Sequence, residues 1–143
     1  MISKINIQDL QIIELIGKMS LPIYFKEEDL SIMTLYKNIS MLKISLNNII
    51  LGFIIYENND DNLHILSIAV IKNARKKNLG TKLLNFIKKN NKDITLYVQA
   101  INHIAVKFYK KNNFKCIRTD DDYYTSLDDH KAFYLKYDMK LNK

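Results

Sequence analysis

A nine-residue apolar segment, Leu63–Ile71, is the centre of the hydrophobic pattern of this chain. Its residues are apolar or small apart from His64 and Ser67, which is typical of a strand buried on both faces. A polar, lysine-rich turn over 72–78 follows, and then Gly80 and a segment with helical periodicity. The free N–H groups of such a strand–loop–helix junction and the positive end of the helix dipole favour an anion, so we expect a phosphate or pyrophosphate there.

The residues before this segment predict a short strand over 4–7, two helices, and two strands over 41–46 and 49–56. The Asn-Asn pair at 47–48 is a two-residue hairpin signal between those strands. The first helix must end before Pro22, because the residue that precedes proline is disfavoured in the helical region. The apolar positions predicted to be buried are Leu10, Ile13, Ile16 and Gly17 in the first helix and Leu30, Met33 and Leu35 in the second.

After the central strand, the pattern predicts a helix, a strand over 94–99, a helix that begins at Asn102, and closing strands over 114–119 and 131–138. The apolar stripe of the first of these helices is Leu79, Leu83, Phe86 and Ile87. This order implies an α/β fold with an α+β mixed sheet, in which about seven twisted strands are flanked by about four helices. We expect residues 1–143 to form a single domain.

Composition narrows the class of protein. Hydrophobic residues make up 48% of the chain and charged residues 26%, as in an ordinary globular protein. The longest apolar run, 49–56, is far too short to span a bilayer, and the N-terminus lacks the apolar core of a secretion signal. The lone Cys116 cannot form an internal disulfide and fits a reducing compartment; we interpret it as a core residue. These observations favour a cytoplasmic protein without membrane association.

The net charge of +7 rests on 20 lysines and only two arginines. Proteins that read a DNA sequence tend to use the planar fork of arginine, so we expect no specific DNA binding. A basic surface suits a polyanionic cofactor or docking on a ribosome, although a solvated surface explains most of this charge.

The loop after the central strand carries a recognisable motif. The sequence R-K-K-N-L-G-T at 75–81 resembles the Q/R-x-x-G-x-G/A signature of the GNAT superfamily of N-acetyltransferases, whose loop cradles the pyrophosphate of acetyl-CoA. Asn78 replaces the usual first glycine, and asparagine is the next most tolerant residue for positive φ. The resemblance implies that acetyl-CoA is bound by Ile68, Ala69, Val70, Arg75, Lys76, Lys77, Asn78, Leu79, Gly80 and Thr81.

A second motif lies at the separation expected for the same family. The segment 96–114 resembles the family pattern V-x-x-x-N-x-x-A-x-x-[FL]-Y-x-x-x-G-F. Asn102 falls on the asparagine that contacts the pantetheine arm, and Tyr109 falls on the tyrosine that protonates the leaving CoA thiolate. Asn113 replaces a family glycine at the end of the helix. With this second motif the chain is identified as a GNAT member over nearly its whole length, which implies the acyl-CoA acyltransferase fold.

Three further segments resemble the catalytic subunit of the NatE-type protein N-terminal acetyltransferases, which acts on chains that begin with a retained methionine. They are L-P-I-Y-F at 21–25, L-Y-V-Q at 96–99 and D-Y-Y-T-S-L at 122–127. An apolar slot suits a methionine side chain, and tyrosine hydroxyls can bind a peptide backbone. The resemblance implies that the first residue of the acceptor peptide is enclosed by Leu21, Pro22, Ile23, Phe25, Leu66, Tyr123, Tyr124 and Leu127.

In that subfamily a tyrosine before the pyrophosphate loop and a histidine on the next strand hold a water that deprotonates the amine. Here His64 and Tyr97 occupy those places, exchanged between the two strands. Deprotonating an α-amine of pKa about 7.8 costs roughly 1 kcal/mol at neutral pH, whereas lysine near 10.4 costs roughly 4–5. A water without a neighbouring carboxylate is a mild base, so we expect acetylation of α-amines by direct attack in a ternary complex, without a metal.

Three alternatives stay open. Asp120, Asp121 and Asp122 could form an acidic pocket for a polyamine or another small amine. The replaced glycines and the exchanged pair would also suit a catalytically weak, acetyl-CoA-binding subunit of an N-acetyltransferase complex. Finally, the lysine-rich helices would suit a protein that associates primarily with a ribosome or RNA.

Overall fold

One seven-stranded sheet, with helices on both faces, organises the structure, a computed structural model that describes residues 1–142. Two short 3-10 helices, Ile7–Asp9 and Lys72–Lys77, precede the first and third α-helices. The elements in chain order are strand β1 (Ile2–Lys4), helices α1 (Leu10–Ser20) and α2 (Glu27–Met33), strands β2 (Ile39–Leu46), β3 (Ile49–Asn58) and β4 (Asn62–Val70), helix α3 (Leu79–Lys88), strand β5 (Asp93–Gln99), helix α4 (His103–Lys111), and strands β6 (Lys115–Asp120) and β7 (Ala132–Tyr137).

The strands lie side by side in the order β1-β2-β3-β4-β5-β7-β6. Every neighbouring pair is antiparallel except β4 and β5, which are parallel. Their parallel ladder covers four residue pairs, from Asn62 opposite Asp93 to Ile65 opposite Leu96. Beyond these pairs both strands continue without pairing to each other, β4 to Val70 and β5 to Gln99. The sheet therefore opens in its middle, at the carboxyl ends of its two parallel strands.

Each face of the sheet packs against its own pair of helices. Successive residues of β3 point to opposite faces: Ile54 belongs to one core cluster, whereas Phe53 and Ile55 belong to the other. The first cluster contains Leu79, Leu83, Leu84 and Ile87 of α3 and Val106 and Tyr109 of α4. The second contains Leu10, Ile13 and Ile16 of α1 and Leu30 and Met33 of α2. Helices α3 and α4 thus cover one face and α1 and α2 the other.

The predicted order of helices and strands and the mixed sheet are confirmed. The position of the first strand was wrong, because it spans Ile2–Lys4 and not 4–7. The chain turns after Lys4, where the backbone N–H of Asn6 donates to a carboxylate oxygen of Asp9 at 2.7 Å. That carboxylate is also within 2.6 Å of Lys43 Nζ, so the 3-10 turn is attached to β2.

Three predicted core positions lie at the surface instead. Phe86 is 38% exposed, and Leu84 takes its place in the core, because the buried stripe of α3 follows 79, 83, 84 and 87. Leu35 is 81% exposed, since α2 ends at Met33. Cys116 lies exposed on β6, the edge strand of the sheet.

Asparagine supplies the left-handed backbone in this chain. The described non-glycine residues with positive φ are Asn47, Asn48, Asn78, Asn91 and Asn113, and no described glycine has positive φ. Asn47 and Asn48 form the predicted hairpin turn between β2 and β3. The replacement of two family glycines by Asn78 and Asn113 therefore leaves both turns in the expected conformation.

Among residues 1–142, no helix has both the length and the apolar character needed to cross a membrane.

Candidate active site

The opening between β4 and β5 leads into two adjoining cavities. The first, of about 370 Å³, lies among the end of β4, the start of α3 and helix α4, and we call it the helix cavity. The second, of about 430 Å³, lies among the segment 21–25, strands β4 and β5, and the segment 123–126, and we call it the tyrosine cavity. The residues that line both are Leu21, Ile68, Asn102, Ala105 and Tyr109. A molecule in one cavity can therefore meet a molecule in the other beside Tyr109.

The start of α3 presents free N–H groups near the helix cavity. The first backbone bond of this helix runs from Lys82 N–H to the carbonyl of Asn78, at 3.0 Å. The N–H groups of Leu79, Gly80 and Thr81 precede this bond and have no acceptor within the helix. Asn78 (φ 57°, ψ 27°) makes the left-handed turn that directs the chain into α3. Together with the positive end of the helix dipole, these groups favour an anion such as a pyrophosphate.

Gly80 allows α3 and α4 to approach closely. A Cβ atom at this position would lie 2.9 Å from Cζ of Phe108, closer than real Cβ contacts. Both residues line the helix cavity, so a larger residue at 80 would displace the Phe108 ring. The glycine of the sequence motif therefore serves helix packing at this place, whereas Asn78 serves the turn.

The structure brings most of the predicted cofactor-binding residues to one cavity. Arg75 donates its Nε–H to the carbonyl of Val70 at 3.2 Å, which holds its side chain across the end of β4. The predicted residues that line the helix cavity are Ile68, Ala69, Val70, Arg75, Gly80, Asn102 and Tyr109. Those that do not line it are Lys76, Lys77, Asn78, Leu79 and Thr81, and Leu79 is buried in the core. Further lining residues that were not predicted to bind the cofactor are Ser20, Leu21, Ile104, Ala105 and Phe108, of which Ala105 and Phe108 lie inside the second motif.

Asn102 joins the two cavities at the start of α4. It is the N-cap of the helix, and its Oδ1 accepts the backbone N–H of Ala105 at 3.2 Å. Structural capping and contact with a ligand are compatible here, because the same side chain lines both cavities.

Tyr109 is a buried acid at the junction of the cavities. It is 7% exposed, and its ring contacts the rings of Phe108 and Phe114 edge to face, at centroid distances of 5.2 and 5.6 Å. Burial raises the pKa of Tyr109 well above its ordinary value, and nearby Tyr124 raises it further. The phenol therefore stays protonated at neutral pH and is present as a proton-carrying group where the two cavities meet.

The tyrosine cavity collects the residues predicted to enclose an acceptor. Leu127 does not line it and lies in a turn, where its backbone N–H donates to the carbonyl of Tyr124 at 3.1 Å. The predicted residues that do line it are Leu21, Pro22, Ile23, Phe25, Leu66, Tyr123 and Tyr124, together with His64, Tyr97 and Tyr109. Lining residues that the prediction did not assign to the acceptor include Tyr24, Ile65, Ser67, Leu96, Val98, Gln99, Thr125 and Ser126; all of these except Ile65 and Ser67 lie inside the quoted motifs.

Stacked aromatic rings form one wall of this cavity. Tyr97 and Tyr123 stack with centroids 4.0 Å apart and planes 13° apart, and Tyr124 packs edge-on against Tyr123 at 4.8 Å. Arg118 Nη2 donates to the hydroxyl of Tyr97 at 2.7 Å, and its guanidinium lies 3.9 Å from the ring centroid of Tyr134. Burial raises the pKa of Tyr124 to about 12, and Tyr123 adds to the rise. Sequence motifs did not point to Arg118 or Tyr134, which reach this wall through the pairing of β6 and β5 with β7.

His64 and Tyr97 face the same cavity from neighbouring strands. Their ring centroids are 5.9 Å apart. Nδ1 of His64 lies 2.8 Å from Oγ1 of Thr95, the residue opposite it on β5. Burial lowers the pKa of His64 below its ordinary value, and the carboxylate of Glu57 opposes this only in part. The imidazole is therefore neutral at pH 7.

Comparison with known proteins places this geometry in a family. Residues 37–116, more than half of the chain, match the family model described as the acetyltransferase (GNAT) domain. The chain belongs to the GNAT family. The match covers β2 to the start of β6 and therefore includes both walls of the opening in the sheet.

Several known proteins resemble this chain in sequence or in structure. N-alpha-acetyltransferase 50 of Danio rerio is 30% identical over 91 residues, which cover 59% of this chain and 54% of that protein. The chain thus spans about half the length of the curated relatives that it matches. The crystal structure of Ard1 from Thermoplasma volcanium has a TM-score of 0.84 at 21% identity and covers 95% of each chain. Arabidopsis thaliana Naa50 in complex with the bisubstrate analogue CoA-Ac-MVNAL has a TM-score of 0.80 at 19% identity, with coverage of 95% of this chain and 96% of that one. These two likenesses show that the chain has the GNAT fold.

Proposed function

We propose that this protein is an N-alpha-acetyltransferase that transfers the acetyl group of acetyl-CoA to the N-terminal amine of a protein or peptide, preferably one that begins with methionine and an apolar residue. The observation that carries the proposal is the junction of two cavities in the opening of the sheet, beside Tyr109 and Asn102. The similarity to a protein of Danio rerio with the name N-alpha-acetyltransferase 50 supports the choice of an α-amine.

The residues of the helix cavity fit acetyl-CoA, which would supply the thioester. Arg75 and the N–H groups of 79–81 are suited to the pyrophosphate, and the groove narrowed by Gly80 and Phe108 is suited to a slender chain. Asn102 lies where such a chain would pass towards the tyrosine cavity. On the side facing the opening, β4 has no pairing with β5 beyond Ile65, so its N–H groups there can polarise a carbonyl oxygen.

The tyrosine cavity fits the first residue of a peptide. Leu66, Ile23 and Phe25 give it an apolar side that suits methionine, while the hydroxyls of Tyr123 and Tyr124 can bind the peptide backbone. Its volume of about 430 Å³ leaves room for one or two residues rather than a folded domain. Because only one or two residues fit, the cavity would select the N-terminal end of an acceptor peptide.

Proton transfers can be assigned to named residues. The free amine would attack the acetyl carbonyl directly, forming the C–N bond as the C–S bond breaks, and Tyr109 would donate its proton to the sulfur. A water between His64 and Tyr97 would take the proton of the amine and pass it to solvent, and solvent would reprotonate Tyr109. An α-amine requires only about 1 kcal/mol for deprotonation at pH 7, so a weak base is sufficient.

Nascent or newly made proteins in the cytoplasm are the acceptor class that this proposal favours. The net charge of +7 would assist docking on a ribosome or with other subunits of an N-acetyltransferase complex.

A direct test compares a Met-Leu peptide with spermidine as acceptor, with acetyl-CoA binding measured separately by calorimetry. We expect binding of acetyl-CoA and a kcat/KM for the peptide at least tenfold above that for spermidine. Preference for spermidine would indicate the small-amine alternative. One of the acids available to a polyamine, Asp122, is already paired with His130 at 2.6 Å. Binding without turnover of any acceptor would indicate a non-catalytic subunit.

A further inference from the structure

Thr95 is the buried centre of a hydrogen-bond chain behind His64. It is 4% exposed, and its Oγ1 lies 2.8 Å from Nδ1 of His64 and 2.8 Å from Nδ2 of Asn62. Within residues 1–142 these two nitrogens are the hydrogen-bond partners of the Thr95 hydroxyl. His64 itself lines the tyrosine cavity. The direction of the hydrogen bond between this hydroxyl and Nδ1 therefore matters for whether the other ring nitrogen, Nε2, carries a proton.

The direction of each hydrogen bond follows from the available protons. The amide nitrogen of Asn62 can only donate, so Thr95 Oγ1 accepts from it. The oxygen of the same amide accepts from Asn59 Nδ2 at 3.3 Å, which supports this orientation of the amide. The proton of the Thr95 hydroxyl then has one acceptor within reach, Nδ1 of His64. Since a buried hydroxyl without an acceptor is unfavourable, Thr95 donates to His64.

A neutral imidazole has one protonated and one unprotonated nitrogen, and here Nδ1 is the one that accepts. We propose that Thr95 holds His64 in the Nε2–H tautomer, so that His64 offers a hydrogen-bond donor to the tyrosine cavity and not a proton-accepting nitrogen. The catalytic consequence rests on the proposed function: His64 holds the water by donating to its oxygen, and the proton of the amine leaves through that water without residing on the ring. Thr95 acts through His64 and is a positioning residue.

The tautomer is measurable without any assay of activity. In a long-range ¹⁵N–¹H correlation spectrum of the labelled protein at pH 7.5, the His64 ring should show an unprotonated Nδ1 and a protonated Nε2. Loss of one set of ring signals in His64→Gln assigns the residue, and the exposed ring of His103 is an internal reference. A His64 ring protonated mainly at Nδ1 would overturn the proposal.

Substitutions of Thr95 and Asn62 test whether their hydrogen bonds determine the tautomer of His64. Thr95→Val removes the hydroxyl at similar volume and should give His64 a mixture of tautomers, whereas Thr95→Ser should restore the Nε2–H form. Asn62→Asp should reverse the tautomer, because a carboxylate accepts the Thr95 proton and Oγ1 must then accept from Nδ1–H. If the His64 signals of Thr95→Val and Asn62→Asp match those of the wild type while circular dichroism shows folded proteins, Thr95 does not control the ring.

Kinetics test the catalytic consequence. The side-chain amide of His64→Gln can donate a hydrogen bond but is not a base, while His64→Leu can do neither. We expect kcat/KM for a Met-Leu peptide to fall less than about tenfold in His64→Gln and clearly more in His64→Leu. Equal losses of about 10²-fold would show that the ring receives the proton, and no loss in either variant would remove His64 from catalysis. Absence of activity towards any acceptor would reject the proposed function but leave the spectroscopic result standing.

Discussion

Arg118 donates a 2.7 Å hydrogen bond to the hydroxyl of Tyr97, and this contact joins the edge strand of the sheet to the wall of the tyrosine cavity. Tyr97 in turn stacks on Tyr123, so the guanidinium fixes two rings at once. The side chain is exposed, yet its planar fork and its position over Tyr134 give the wall a defined orientation.

Replacement of Arg118 should therefore weaken acceptor binding. In Arg118→Ala we expect the KM for a Met-Leu peptide to rise about tenfold, since a hydrogen bond from a charged group contributes about 1.5 kcal/mol. The Kd for acetyl-CoA should not change. Lys115→Ala, which removes a cation from the same strand, is the matched control, and an equal effect in that variant would point to net charge alone.

Removal of the Tyr109 hydroxyl should slow the chemical step. Tyr109→Phe keeps the buried ring among Phe108 and Phe114 and deletes only the acid, so kcat should fall about 10²-fold while the Kd for acetyl-CoA stays within a factor of two. Tyr137→Phe, a change at a buried tyrosine that lines neither cavity, is the control in the same steady-state assay. An unchanged kcat in Tyr109→Phe would assign the proton donation to another group.

The contact between Gly80 and Phe108 leads to a prediction about cofactor affinity. The Cβ of Gly80→Ala would meet the Phe108 ring at 2.9 Å and push it into the helix cavity, so acetyl-CoA affinity measured by calorimetry should fall about tenfold. The double variant with Phe108→Leu should recover most of the loss. If the second change adds to the loss, the clash is not the cause.

A charge in the apolar side of the tyrosine cavity should act on the acceptor alone. Ile23 lines that cavity and not the helix cavity, so Ile23→Asp should raise the KM for Met-Leu peptide at least tenfold and leave the Kd for acetyl-CoA unchanged. Ile32→Asp places the same charge on an exposed isoleucine of α2 that lines neither cavity. Parallel shifts of both constants in Ile23→Asp would mean that the loop supports the fold.

The raised pKa of Tyr109 predicts a loss of stability in alkali. Above pH 10 the unfolded chain ionises this phenol while the folded protein keeps it protonated, so the unfolded state binds fewer protons and the free energy of unfolding falls as pH rises. One such group contributes a slope of at most about 1.4 kcal/mol per pH unit. Urea unfolding between pH 8 and 11 should show a shallower decline in Tyr109→Phe than in the wild type; identical slopes would contradict the assigned pKa.

Local periodicity was sufficient to predict the order of the elements, because buried stripes and turn residues are encoded within a few neighbouring positions. The hairpin at Asn47-Asn48 and the left-handed turn at Asn78 were both readable in this way. The exposed Phe86 shows what local periodicity does not predict. Which positions of α3 are buried depends also on the elements that pack against this helix.

The site was predictable where a motif lies within one segment and not where strand pairing assembles it. Asn102, Tyr109 and Gly80 were predicted from the resemblance of two local motifs to those of the family, and all three line the helix cavity. Arg118 and Thr95 reach Tyr97 and His64 only through the register of β6, β7, β5 and β4, which no local pattern specifies.

The four-pair ladder between β4 and β5 has a mechanical consequence. The four strands β1 to β4 are joined to the three strands β5 to β7 by only these four residue pairs, so the two parts of the sheet are weakly connected at this place. A molecule that binds in the opening and contacts both parts of the sheet holds them together. By mass action, the melting temperature then rises with the concentration of that molecule. Deuterium uptake at 66–70 and 97–99 should slow in step with that rise.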